Sequence, residues 1–513
     1  MSYILGIDIG TQGIKGVILN KNLKPVAKGY VEHDYIQPRP NWYEHDAEKV
    51  WWNGFKHMVG QLLNQIDFNV NQIVGIGFSG LAPCFLPLDK HDQPLRNAIL
   101  YGIDTRAKKE IKHIYDELGE EKVLQLNKQS ITSQTVGPKM MWFKDNEPEK
   151  FNKMAKFFTT TNYIAYRLTG NYIIDHSQAS QFGPFYNYNT QNWDIDMCKR
   201  FNIPYNLFPA IKNATDLAGK LSASAAKEIG LSEGTPVMLG TADGFAEVFS
   251  TGAFEKGDLT LIYGTTGLII INTNKCPVLK ELWIVPHPID PNQYLAVGGT
   301  VATAALTKWF RDNFGEIEKL MQERINQNAY QILSDEVKNI PPGSDGLVAL
   351  PYFSGERTPI NDPMARGMIF GLTVFHNRHH IYRALLESAA YSFNHHLEVF
   401  SEYDFEVSKV IACGGGTKNQ LWTQIVSDVI GHDQLIPGAP LGAEIGSAYM
   451  AAYSVGLIHS LDELKKLINA QESRMVHYRE KNHSIYQQYY QIYRKLYLNT
   501  MNEMHLISQL SEK

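Results

Sequence analysis

Apolar residues along this chain fall in short blocks separated by longer amphipathic stretches. The first block, Ile4-Leu5-Gly6-Ile7-Asp8-Ile9, is followed by Gly10-Thr11-Gln12-Gly13 and then by Ile14-Lys15-Gly16-Val17-Ile18-Leu19. This pattern predicts a strand, a tight Gly/Thr turn and a second strand. Helical spacing over residues 50–66 leads into Ile73-Val74-Gly75-Ile76-Gly77-Phe78-Ser79-Gly80, a buried strand running into a turn. Residues 153–170 read as one helix closed by Gly170. A short strand after Pro236 enters Gly240-Thr241-Ala242-Asp243-Gly244. The opening pattern then returns over residues 259–271, around Gly264-Thr265-Thr266-Gly267. Gly298-Gly299-Thr300 opens a further helical stretch carrying Trp309 and Phe310. The strand Val410-Ile411-Ala412-Cys413 ends in Gly414-Gly415-Gly416, and a helix follows over 420–430. Residues 461–513 read as solvated helix with one aromatic face. Alternating strands and helices indicate an α/β fold. Two similar hairpins half a chain apart indicate two similar halves, with domains at 1–247 and 248–513.

Composition narrows the class. The chain has 513 residues, more than one core accommodates, with 44% hydrophobic and 20% charged residues. Lys+Arg 48 against Asp+Glu 53 leaves a net charge of −5, so no basic surplus exists to neutralise nucleic-acid phosphates. No apolar run reaches transmembrane length, and no signal-peptide pattern opens the chain. Four scattered cysteines, Cys84, Cys198, Cys276 and Cys413, form no C-x-x-C and read as reduced thiols. Together these features predict a cytoplasmic protein that binds neither membrane nor nucleic acid.

The candidate chemistry starts at the first hairpin. Glycines let backbone N–H groups approach an anion, and Thr11, Gln12 and Lys15 add donors around Gly10. Asp8 beside such a loop would repel a phosphate, unless a divalent cation lies between them. The hairpin therefore suggests a nucleoside triphosphate with Mg²⁺, although it is no Walker loop. Asp243 ends a strand inside a glycine-rich turn. It either accepts a proton from a substrate hydroxyl or caps the following helix. Gly264, Thr265 and Thr266 present hydroxyls and N–H groups to a phosphate. Gly415 and Gly416 clear side chains for a flat or anionic ligand, and Gly299 reads as pocket wall. Residues 41–46 mix aromatics with carboxylates, and Asp104 with Arg106 offers an acceptor and a forked donor for a polyhydroxy compound. The pairs His379-His380 and His395-His396 lack the companions a metal site needs, and no G-x-S-x-G elbow occurs.

In this order the segments resemble the FGGY family of carbohydrate kinases, xylulose-kinase-like branch, within the superfamily of sugar kinases, actin and Hsp70 chaperones. The resemblance rests on Asp8-Ile9-Gly10-Thr11, Trp42-Tyr43-Glu44-His45-Asp46, Lys139-Met140-Met141-Trp142, Leu168-Thr169-Gly170, Gly240-Thr241-Ala242-Asp243-Gly244 and Ser354-Gly355-Glu356-Arg357-Thr358-Pro359. It implies two ribonuclease-H-like domains of the actin-like ATPase type, with ATP and a small sugar in an interdomain cleft. It implies Asp243 as general base, Asp8 near Mg²⁺, both Gly/Thr hairpins around the phosphates, and Gly415, Gly416 and Asn419 beside the adenosine. It also makes Asp104 and Arg106 sugar-binding candidates and a homodimer the expected assembly. One loop departs from the pattern. Where xylulose kinases carry Q-M-H-G, this chain has Leu81-Ala82-Pro83-Cys84, so Leu81 and Ala82 take the place of sugar-contacting polar groups. The expected substrate is a ketopentose such as D-xylulose. Gluconate, another ketose or a polyol are the alternatives, and a non-catalytic nucleotide-binding scaffold is the rival from another class.

Overall fold

The computed structural model describes residues 2–511. The chain divides into two compact units whose segments interleave. Unit 1 is built from residues 1–254, 274–295 and 440–470; unit 2 takes residues 255–273, 296–439 and 471–513.

The predicted opening hairpin is the spine of unit 1. Tyr3–Ile9 and Gly13–Asn20 pair antiparallel, and Pro25–Glu32 adds a third antiparallel strand. On its other edge Tyr3–Ile9 pairs parallel with Ile73–Gly80, which pairs in turn with Pro236–Met238 and Thr241–Ala242. Tyr3–Ile9 is buried at every position, as expected for a central strand covered on both faces. Unit 2 repeats the scheme. Asp258–Tyr263 pairs antiparallel with Gly267–Thr273 and parallel with Lys409–Cys413, which continues to Gln434–Ile436 and Arg474–Val476. The repeated sequence pattern is thus a repeated topology.

One helix reaches the unit 1 sheet from far along the chain. Ala443–Ser454 lies so close to Tyr3–Ile9 and Ile73–Gly80 that a Cβ on Gly6 or Gly77 would overlap the carbonyl of Glu444 or Ser447. On its other side a Cβ on Gly446 would overlap the Ala246 carbonyl, in the helix Asp243–Ser250. Glycine at these positions lets two helices and a sheet meet through their backbones.

Other elements follow the apolar pattern with one correction. Residues 153–170 are not a single helix: Met154–Phe158 is a strand paired with Leu86–Asp89, and only Thr160–Thr169 is helical. Phe157 and Phe158 are both fully buried, so both faces of this strand are covered, which removes the alternation that marks a strand. Thr159 and Asn162 form a capping box that starts the helix, and Gly170 closes it in the left-handed conformation. The C-terminal stretch forms Leu461–Asn469 and the long helix Glu480–Ser511. The long helix buries Tyr486, Tyr490, Tyr493 and Tyr497 along one face. Among the described residues no helix is long and apolar enough to cross a membrane.

The backbone contact at Gly446 carries a prediction. Gly446→Ala should destabilise unit 1 by at least about 2 kcal/mol, because neither helix backbone can yield without disturbing the sheet. Urea unfolding checks this; an unchanged midpoint would show that the two helices separate freely.

Candidate functional site

Strand register gathers the carboxylates of unit 1. Asp8 lies opposite Lys15 across the hairpin and opposite Ser79 in the parallel neighbour. Ser79 also pairs with Thr241, two residues before Asp243. Ser79 Oγ donates to Asp8 Oδ1 at 2.8 Å. Burial raises the Asp8 carboxyl to about 7, and repulsion from Asp243 and Glu444 adds to the rise. Asp243, partly exposed at the first position of the helix Asp243–Ser250, is raised to about 6 by burial and by Glu247, with Lys15 opposing. Its Oδ1 accepts the N–H of Gly244 at 2.7 Å, so the residue sits in the first turn without being the helix cap. Asp175 anchors the approach to this helix. Its Oδ1 accepts from Thr241 Oγ1 at 3.4 Å, and burial pushes its carboxyl up to about 6.

These residues fit a divalent cation. Glu444 keeps one buried carboxylate oxygen, Oε2, without a hydrogen-bond partner, and its carboxyl is pushed up by burial. Three carboxylates are thus gathered where Lys15 is the cation that opposes each of their shifts. Among the described residues no three His, Cys, Asp or Glu side chains are spaced to grip a metal directly. The arrangement suits an ion held largely through water, as Mg²⁺ prefers.

The first turn is closed by Gly10 N–H donating to the Gly13 carbonyl at 2.9 Å. Thr11 Oγ1 meets the Tyr101 hydroxyl at 3.1 Å, while Gln12 and Lys15 are exposed. The structure brings Asp8, Gly10, Lys15 and Asp243 together. It places Asp104 and Arg106 in a buried network of their own. Arg106 donates to Asp104 through Nε (2.9 Å) and Nη2 (2.7 Å) and to Glu44 through Nη1 at 2.9 Å, and Arg96 pairs with the same Glu44. The Arg106 guanidinium lies 4.2 Å from the Trp42 ring centroid and 5.0 Å from that of Trp142. Its side chain is 0% exposed, so the predicted fork is turned inward onto Asp104 rather than outward. Lys139, fully buried, ties this network to the loop before it, donating to the carbonyls of Tyr101 (2.9 Å) and Ser133 (2.8 Å). Burial lowers its ammonium to about 8. In the loop Leu81-Ala82-Pro83-Cys84, Leu81 packs into the core at 1% exposure and Cys84 is buried, which leaves Ala82 partly exposed. Burial pushes the Cys84 thiol up to about 12, so it is inert.

Unit 2 carries a cavity of about 570 Å³, within the range of small-molecule sites. Gly264, Thr265, Gly415, Gly416 and Asn419 line it, with Tyr330, Tyr382 and Lys308. A Cβ on Gly416 would meet the Trp422 ring at 2.7 Å, while one on Gly415 would face open space. Asn419 caps the helix Gln420–Ile430 through its Oδ1 and donates from Nδ2 to Ser334 Oγ at 2.8 Å. The carbonyls of Gly264 and Thr265 accept from Ala304 and Ala305 at the start of Ala304–Phe314, fixing the second hairpin to that helix. Gly299 is buried in a strand and held by Thr358, outside the cavity lining, and Thr266 is likewise not part of the lining. Ser79 and Lys139 lie in segments that the sequence marks without assigning them a site role, and Asp175 and Glu444 carry no local motif. Glu444 stands between Gly442 and Gly446, and that flanking pair was the signal for a close backbone approach.

A repeated sheet topology, with paired carboxylates in one copy and a glycine-lined cavity in the other, defines the actin-like ATPase fold, here in its carbohydrate-kinase form. The chain belongs to the FGGY family of carbohydrate kinases, whose N-terminal domain matches residues 3–250 and whose C-terminal domain matches residues 259–455. It is thus a sugar phosphotransferase with a hydroxyl acceptor. It is 29% identical to the xylulose kinase of Bacillus subtilis (strain 168) over 503 residues, covering 98% of this chain and 97% of that relative. It is 27% identical to a gluconokinase of the same organism over 471 residues, 91% of each chain. The crystal structure of xylulose kinase from Rhodospirillum rubrum superposes with a TM-score of 0.88 at 28% identity, over 98% of this chain and 100% of that one.

The raised Asp8 carboxyl sets a stability prediction. Its ordinary value is 3.8 and its folded value about 7, so the folded chain holds a proton through this window that the unfolded chain has released. Stability from this group is full below pH 4 and falls as pH rises through 7. Asp8→Asn, which retains an acceptor for Ser79, should stabilise the protein by about 2 kcal/mol at pH 8 and by much less at pH 4. Denaturant melts at both pH values test this; equal effects at the two would contradict it.

Proposed function

We propose that the protein transfers the γ-phosphoryl group of ATP to a hydroxyl of a ketopentose such as D-xylulose. The observation that carries this reading is Asp243: a partly exposed carboxylate at the head of a helix, raised to about 6 beside a second raised carboxylate. Above that value Asp243 accepts the proton of the attacking hydroxyl as its oxygen bonds to phosphorus. Mg²⁺, held through water by Asp8 and Glu444, would offset charge on the phosphate oxygens. Lys15 and the N–H groups around Gly10 offer donors to the phosphates, and the exposed Thr265 does the same in unit 2. Gly415 and Gly416 leave room for a flat base, and Asn419 and Tyr330 give it polar and aromatic contacts. Asp104 and Arg106, locked to each other, act on the sugar by shaping the two segments that carry Tyr101 and Tyr43; the Tyr43 N–H donates to Asp104 at 2.7 Å.

The exposed part of residues 81–84 favours a second reading of the substrate. Ala82 offers no hydrogen bond, so specificity falls to other groups, and a sugar acid such as gluconate fits the resemblance to the gluconokinase.

ADP release with Mg-ATP across ketopentoses, ketohexoses, polyols and aldonic acids should give one strong responder, D-xylulose. Asp243→Ala should lower kcat by about 10²–10⁴-fold while leaving nucleotide binding within about twofold. Near-normal turnover in that variant would remove Asp243 from the chemistry, and gluconate as responder would select the second reading. The kcat/KM of the intact protein should rise with pH through 6–7 and then level, because Asp243 and Asp8 must both lose their protons.

A further inference from the structure

Unit 2 carries a second, more open cavity of about 800 Å³ that the proposed reaction does not use. Its lining includes Lys338, Arg474 and Arg479, against a single carboxylate, Asp335. Arg474 is half-buried, and its guanidinium donates to the Thr417 carbonyl at 3.0 Å and Thr423 Oγ1 at 3.4 Å, both neutral acceptors. Among the described residues no carboxylate pairs with Lys338, Arg474 or Arg479. A half-buried cation without a counter-charge is costly, and a bound anion would relieve that cost. Guanidinium has five donors in a planar fork suited to phosphate oxygens, and two of its contacts here are taken. Gln420 and Leu421, in the first turn of Gln420–Ile430, line the same cavity, where the helix dipole also favours negative charge.

We propose that this cavity binds a phosphoanion, a small compound carrying a phosphate or diphosphate group, and that its occupancy changes nucleotide affinity. Two connections carry the second part, which rests on the nucleotide reading of the first cavity. Arg474 holds the carbonyl of Thr417, within the turn Gly415–Lys418, whose Gly415, Gly416 and Lys418 line the first cavity. Ser334 lines the second cavity and accepts from Asn419 of the first. A ligand that orders Arg474 and Ser334 orders the nucleotide's own contacts, and by linkage each ligand alters the affinity of the other.

The test is titration calorimetry of the full chain with inorganic pyrophosphate, and separately with inorganic phosphate, at low and high salt and without nucleotide. One pyrophosphate per chain should bind, more weakly at high salt. Lys338→Gln and Arg479→Gln should each weaken it by about fivefold or more while leaving kcat and the KM for ATP unchanged in its absence. Saturating pyrophosphate should change the affinity for ADP severalfold, and Lys338→Gln should abolish that change. Absence of binding, or binding indifferent to both substitutions, would overturn the site. Loss of pyrophosphate binding in Lys15→Gln instead would place the anion with the nucleotide phosphates and equally overturn it. An ADP affinity indifferent to pyrophosphate would overturn the coupling. ADP binding that survives Gly416→Val would sink the nucleotide reading alone and leave the pyrophosphate result standing.

Discussion

The structure depends on holding like charges together where water reaches them only in part. Asp8, Asp243 and Glu444 share one region of unit 1, where Lys15 opposes each of their shifts, and burial raises all three carboxyls. A fold that needed only stability would place apolar residues there, since unpaired buried charge is among the costliest features a core can carry. The arrangement makes sense if a cation and a phosphate complete it. A phosphoryl-transfer centre requires this: negative oxygens must be brought to a negative site, and the charge they meet must be supplied from outside. Burial, helped by repulsion from Glu247, raises Asp243 into the range where a carboxylate is basic enough to take a proton from an alcohol yet ionised near neutrality.

Backbone contact keeps these groups in place. Ala443–Ser454 meets the sheet at Gly6 and Gly77 and meets the Asp243 helix at Gly446, so the element that carries Glu444 is fixed against those that carry Asp8 and Asp243. Side chains would have separated these elements by several ångströms. The Asp175–Thr241–Ser177 hydrogen bonds secure the other approach to Asp243. Asp104, Arg106, Glu44 and Arg96 do similar work nearby, trading their charges among themselves and clamping Trp42 against Trp142.

Much of this was legible in the sequence because the strands are short, apolar and ended by glycine. The hairpin at Gly10–Gly13, its repeat at Gly264–Gly267 and the strand ending in Gly414-Gly415-Gly416 all form as the pattern implied. The sequence marks Asp243 by its glycine-rich strand end but leaves helix cap and proton acceptor both open, and only the fold sets it at the first helical position beside Asp8. Less was legible where partners are distant. The strand Met154–Phe158 was hidden because both of its faces are buried, so its spacing matched a helix. Arg106 looked like an outward fork because nothing in its neighbourhood announced that Trp42 and Trp142 would sandwich it. Glu444 lies more than 400 residues from Asp8 in sequence, and only the glycines on both helices and strands hinted at their meeting.

The most direct measurement is proton release when Mg²⁺ is added to the ADP-saturated protein in weak buffer at pH 6.5, corrected for the release from Mg-ADP alone. With its carboxyl near 7, Asp8 is largely protonated at that pH, and an ion held beside it should expel roughly half a proton or more per chain. Asp8→Asn should abolish most of that release while still binding ADP. Equal release from the two proteins, or none from either, would contradict the claim that the gathered carboxylates of unit 1 hold the cation.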